Sequence, residues 1–218
     1  MRARVSLLAL ALGCGHPPAV EAPLPGEARP LARFLKGQLH LHSSNSGDSE
    51  TPPQDVARWY ASRGYDFIVF TDHNRVTTGI ARGDLQVIPG VELTFNVKDC
   101  DPPPEGPLCP LHVNALFVDP KAGLTTEPGD LRRTTVYRHL VAQARALGGL
   151  AQINHPNFHY GADIETIAAI AEGPLLLEVA NEAIDSNNAG DATHPSTFGM
   201  RFTDPCSGLV IRGPACRR

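Results

Sequence analysis

"GYDFIVFTDHN", residues 64–74, is apolar at nearly every position of its middle and then stops abruptly at Thr71-Asp72-His73-Asn74. The run 65–70 is too short for a core helix and too continuously apolar for a strand with one wet face. It reads as a strand buried on both sides, the kind found in sheets covered by helices. Outward from it, short apolar runs alternate with helix-like stretches from Lys36 onward, which is the pattern of an α/β fold. A first strand is predicted over 37–41. A helix follows Thr51, read as its cap, with Pro52 in the first turn, Val56, Trp59 and Tyr60 on one face and Gly64 as the stop. "LQVIPGVEL" (85–93) predicts a strand ending near Glu92, and "LHVNALFV" (111–118) one beginning near His112. Residues 131–147 carry Val136, Leu140, Val141, Ala144 and Leu147 at helical spacing before Gly148-Gly149. "LAQIN" (150–154) is the next strand, Ile164, Ile167, Ala168 and Ala171 mark a helix, and "LLLEVA" (175–180) is the strand after it.

With 218 residues, 42% of them hydrophobic, the chain has material for one sizeable core. Its formal net charge of -4, without basic runs, supplies no broad footprint for nucleic acid, so a small-molecule substrate is the expected partner. Arg2 and Arg4 precede an apolar stretch from Val5 to Leu12 that is too short to span a bilayer as a helix but suits a signal peptide over 1–14. Its ending, Leu10-Ala11-Leu12-Gly13-Cys14, resembles the lipobox of bacterial lipoproteins. Cys14 is thus expected to carry a lipid anchor in an exported protein of the cell envelope or periplasm. Residues 15–35 read as a proline-rich linker. Cys100 and Cys109 flank "DPPPEGPL" and are expected to close that loop with a disulfide.

The histidines carry the chemistry. His40 and His42, in "LHLHSSNSGD" (39–48), point to one face of an extended chain because side chains alternate with period two. Two neutral imidazoles on one face make half of a zinc, iron or manganese site. Asp48, His73, Glu92, His112 and His155 add donors, most of them at strand ends. In parallel barrels that is where loops converge on one mouth. His112 begins its strand instead. If the cysteine-bearing insertion joins an antiparallel hairpin, His112 returns to the same rim beside Glu92.

In order and spacing, "GQLHLHSSNSGD", "GYDFIVFTDHN", "PGVEL", "LHVNALFVD" and "QINHPN" resemble the successive motifs of the polymerase and histidinol phosphatase (PHP) domains, in particular their carbaryl-hydrolase-like metallohydrolases. The resemblance covers roughly residues 36–196. It implies a distorted (β/α)7 barrel holding up to three divalent metals. His40, His42 and Glu92 would surround one ion, Glu92 would bridge to a second held by His112 and His155, and Asp48 and His73 would hold the third. The implied reaction is hydrolysis of a phosphoester or another ester or carbamate bond by metal-bound hydroxide. Asp72 and Asn74, beside His73, are candidates to orient the ligands, although Asp72 serves equally well as a partner for strand-end backbone. Glu178 is a further acidic candidate with no identified partner. A nuclease-like phosphodiesterase and a non-catalytic exported lipoprotein that keeps the fold are the alternatives.

The family pattern ends in an Asp-x-His motif that this sequence lacks. Residues 198–218 show neither helical nor strand period and have the character of a segment translated out of frame. The expected domain, 36–197, is then a barrel incomplete at its C-terminal end. Asp191 and His194 offer a rival pair of final ligands, at Asp-x-x-His spacing.

Overall fold

The computed structural model describes residues 34–125, 127–194 and 196. The leader with Cys14, nearly all of the linker and the tail 198–218 lie outside the described residues. The chain divides between Phe34 and Leu35, and every element among the described residues belongs to the second unit. Its order is β1 (Gly37–Gln38), α1 (Pro53–Ser62), β2 (Phe67–Phe70), β3 (Gln86–Val97), β4 (Cys109–Leu116), α2 (Arg133–Ala146), β5 (Leu150–Ile153), α3 (Ile164–Ile170) and β6 (Leu176–Leu177).

The class is mixed α/β. Among the described residues six strands form one sheet in chain order, β1 to β6. β1, β2 and β3 run parallel, β3, β4 and β5 antiparallel, and β5 and β6 parallel again. The sheet curls into a half-barrel. Its curvature is visible in the contacts of its two edges: just beyond β1, His40 Nδ1 lies 2.9 Å from Oε1 of Glu178, just beyond β6. Asn114 Nδ2 on β4 likewise donates across the concave face to the Leu39 carbonyl.

The two faces of the sheet differ in chemistry. On the convex face Leu93, Leu111, Val113, Ala115, Ala151 and Ile153 pack against Val136, Tyr137 and Leu140 of α2 and Ile167 of α3. A second apolar cluster joins Val56 and Ala57 of α1 to Ile68 and Phe70 of β2, with Leu41 and Leu85. The alternate residues, Glu92, His112, Asn114, Gln152 and Asn154, are polar yet buried on the concave face. A strand's period of two thus places the core on one side and the candidate chemistry on the other.

Several local expectations change. β1 stops at Gln38, short of the predicted 41, although beyond it Thr71 N still donates to Leu41 O at 3.0 Å and Leu41 N to Thr71 Oγ1 at 3.1 Å. Thr51 does not cap α1. The N-cap is Pro52, no side chain closes the first turn, and Thr51 offers its carbonyl to Ser44 N instead. Trp59 is 47% exposed, not part of the buried face of Val56, and the Arg63 guanidinium lies over its ring. Gly64 ends the helix as predicted, at φ +69°, a left-handed conformation that favours glycine. Cys100 and Cys109 do form a disulfide, with Cα atoms 6.3 Å apart. The buried Arg133 pins the loop they close through its bonds to the carbonyls of Pro102 and Pro103.

Candidate metal centre

β3 and β4 form the hairpin that the sequence required of His112. Glu92 faces Asn114 and Thr94 faces His112, so the Glu92 and His112 side chains are diagonal neighbours on the concave face. His112 Nδ1 lies 3.1 Å from Glu92 Oε1. The other ring nitrogen of His112 is 2.8 Å from Asn96 Oδ1, two residues past Thr94 on the same face, which turns Nδ1 inward.

Around Glu92 the remaining donors converge. His155 Nε2 is 3.3 Å from Oε1 and 3.1 Å from His112 Nδ1. Oε2 meets a different set: His42 Nε2 at 3.1 Å, His73 Nδ1 at 3.1 Å and His40 Nε2 at 3.4 Å. The facing nitrogens of His40 and His42 are themselves 3.1 Å apart. Asp48 stands at the outer edge, its Oδ2 3.3 Å from His42 Nδ1 and 3.4 Å from His73 Nε2. These residues line a cavity of about 280 Å³, together with Phe158, Asn181 and Ala183.

Three groups of these side chains could hold a metal ion: His40, His42 and Glu92; His42, Asp48 and His73; and His73, Glu92 and His112. The first corresponds to the expected first ligand set. The second joins His42 to the expected pair Asp48 and His73, and the third has His73 where His155 was expected. The chemistry of the donors fits a divalent cation. Glu92 Oε2 is buried without a hydrogen bond although three imidazole nitrogens surround it, an arrangement that a hydrogen-bonded core avoids. Donor atoms bound at 2.0–2.1 Å to a tetrahedral ion are separated by roughly 3.3 Å, close to the spacings seen here.

Without a cation the cluster holds itself together by charge. Burial works against protonation of His40, but Glu92 and Glu178 outweigh it and raise its pKa to about 10. Burial alone would raise Glu92; the charges of His40 and His112 and the bonds from His112 and His155 hold it well below the usual carboxylate range. At His112 burial prevails over the nearby Glu92 carboxylate and lowers the pKa to about 4. Burial also dominates at His73, which is lowered.

Supporting residues fix the loops. Asp72 is fully buried and accepts from Ser43 N at 2.6 Å, from Ser43 Oγ and from Thr77 Oγ1. It therefore holds the backbone next to His42 and touches no ligand ring. Asn74, at φ +49°, bonds both the N–H and the carbonyl of Thr94 and extends the β2–β3 pairing past His73. Ser46 Oγ sits 2.8 Å from both His42 Nδ1 and His73 N. The Asn154 side chain donates to Glu92 Oε1 at 2.7 Å.

Sequence reading did not find Ser46, Thr94, Asn96 or Asn154. Thr94 and Asn96 follow Glu92 at period two, but the strand was expected to end near Glu92. Glu178 now has partners: His40 Nδ1, His155 N at 2.8 Å and Asn181 Nδ2 at 3.2 Å. The rival ligands Asp191 and His194 stand elsewhere. His194 is held between Asp191 and Glu105 and stacks on Tyr160, and neither residue belongs to a metal-holding group among the described residues. Comparison of the chain with protein-family models and with curated proteins gave no match.

Proposed function

We propose that the protein is a PHP-type metal-dependent hydrolase acting on a small substrate at a phosphoester or another ester or carbamate bond. One observation carries the reading: the two oxygens of a single buried carboxylate, Glu92, face two different sets of imidazoles. That is the placement of a ligand bridging two cations. Zinc, manganese or iron held here would supply charge stabilisation at the substrate oxygen and a water of lowered pKa. His40 and His42 would bind on the Oε2 side, His112 and His155 on the Oε1 side, and Asp48 with His73 at the rim. Phe158 and Ala183 give the cavity an apolar wall, and Asn181 gives it an amide, so that a substrate is oriented by its organic part as well as by its scissile group. The reading extends to an exported, lipid-anchored protein through Cys14, and the Cys100–Cys109 disulfide suits that oxidising location.

The test is metal analysis of the purified full chain followed by hydrolysis of p-nitrophenyl phosphate, bis-p-nitrophenyl phosphate and p-nitrophenyl acetate. Turnover that a chelator removes, a divalent ion restores and His40→Ala abolishes supports the proposal. Tight metal binding without hydrolysis of any of the three would instead favour a binding module, and activity on single-stranded oligonucleotides a nuclease.

A further inference from the structure

Glu178 is a half-buried carboxylate of the centre that the proposed function leaves without a task. It follows β6, and its backbone N–H donates to the Ile153 carbonyl at 2.9 Å, the last bond of the β5–β6 ladder. The next ladder position is taken over by its side chain: Oε2 accepts from His155 N at 2.8 Å. His155 has φ +26°, outside the regions an L-residue normally occupies, so this bond fixes a backbone turn that the residue would not hold unaided. The same carboxylate reaches across the open side of the half-barrel. Oε1 lies 2.9 Å from His40 Nδ1, the nitrogen facing away from Glu92. One side chain thus grips a ligand from each side of the Glu92 bridge: Oε1 faces His40 Nδ1, and Oε2 accepts from His155 N and, at 3.2 Å, from Asn181 Nδ2.

We infer that Glu178 is a positioning residue that fixes His40 as the Nδ1–H tautomer, with Nε2 free to ligate, and locks the backbone of His155 in the same act. The chemistry is that of a ligand imidazole donating its remote N–H to a carboxylate, which orients the ring and makes it a better donor. A carboxylate is needed because both partners donate. Glutamine has one acceptor oxygen, so Glu178→Gln must turn an NH2 group toward either His40 Nδ1–H or His155 N–H. The inference rests on reading the cluster as a metal centre.

The test uses the full chain, stripped of metal and titrated with zinc against a chromophoric chelator. Loss of this partner is expected to weaken zinc binding 10- to 100-fold in Glu178→Gln. In the zinc-loaded wild type, long-range proton–nitrogen NMR should show the His40 proton on Nδ1 and the zinc on Nε2; this second measurement decides the matter if the variant does not fold. Equal zinc affinity of wild type and variant, or a His40 proton on Nε2, overturns the inference and leaves the metal centre standing. Failure of the wild type to bind zinc at all overturns both.

Discussion

Replacing Glu92 by glutamine removes charge while nearly preserving shape, and the structure sets the scale of the loss. Glu92 is 1% exposed, and His40 Nε2 lies 3.4 Å from its Oε2. At an effective dielectric near 20, an imidazolium and a carboxylate at that distance attract by about 5 kcal/mol. Two effects reduce the net change: the variant no longer desolvates a carboxylate, and His40 keeps Glu178 as a partner at 2.9 Å. Breaking a buried pair from one side costs about 3–5 kcal/mol, and the lower half of that range is expected here. The assay is urea denaturation of wild type and Glu92→Gln at pH 7 in the presence of a chelator. Metal content after reloading should also collapse in the variant, because both sets of imidazoles lose their common ligand. A metal-free variant within about 1 kcal/mol of the wild type, still loading metal fully, would refute the view that this carboxylate organises the cluster.

The metal-free chain should be most stable near neutral pH. His40 binds its proton more tightly folded than unfolded, so its contribution is complete below pH 6.5 and fades as pH rises through about 10. His112, lowered to about 4, does the reverse: its contribution is present above pH 6.5 and fades as pH falls toward 4. Urea midpoints between pH 4 and 10 that change in one direction only would contradict this. Substituting both Cys100 and Cys109 by serine opens a loop of sequence separation 9 and should cost about 2.5 kcal/mol of unfolding free energy, read from denaturation with and without the bond. Gly90→Ala would place a Cβ 2.6 Å from Val69 Cγ1 and 2.9 Å from the Phe70 carbonyl, forcing β2 and β3 apart. A destabilisation of about 1–3 kcal/mol is expected by thermal unfolding, and an unchanged melting temperature would show that the sheet gives way freely.

What could be read in the sequence follows from where the signal is local. The buried strand 67–70 announces itself by unbroken apolarity and the helix 133–146 by period, and the seven donors by residue type and spacing. The hairpin was legible for a topological reason: a histidine opening a strand reaches a rim of strand ends only if its strand runs backwards. What stayed hidden depends on contacts distant in sequence. Asn96 acts on His112 only because the β3–β4 register sets them near each other, and Glu178 meets His40 only because the sheet curls until the residues just beyond its first and last strands come together. The cap at Thr51 failed for a local reason. Pro52 already presets the helical φ at the start of α1, and the Thr51 carbonyl is spent on Ser44.

The division of the sheet into an apolar convex face and a polar concave face bears on how the centre and the fold depend on each other. The clusters around α1 and α2 bury aliphatic and aromatic surface and can drive folding by themselves. The concave face gains little from that source: it confines five imidazoles and Glu92, with ring nitrogens 3.1 Å apart that cannot all find acceptors. Such a face costs free energy in the metal-free chain, and the cost falls on the chain after β1, the turn at His155 and the residues following β6. A cation that binds only the folded arrangement returns that free energy according to its concentration over its Kd. Metal loading should therefore protect the amides of residues 39–46, 154–158 and 178–181 from hydrogen exchange far more than those of α2, whose packing does not involve the centre. Uniform protection would mean instead that the concave face is held as firmly as the core before any metal arrives.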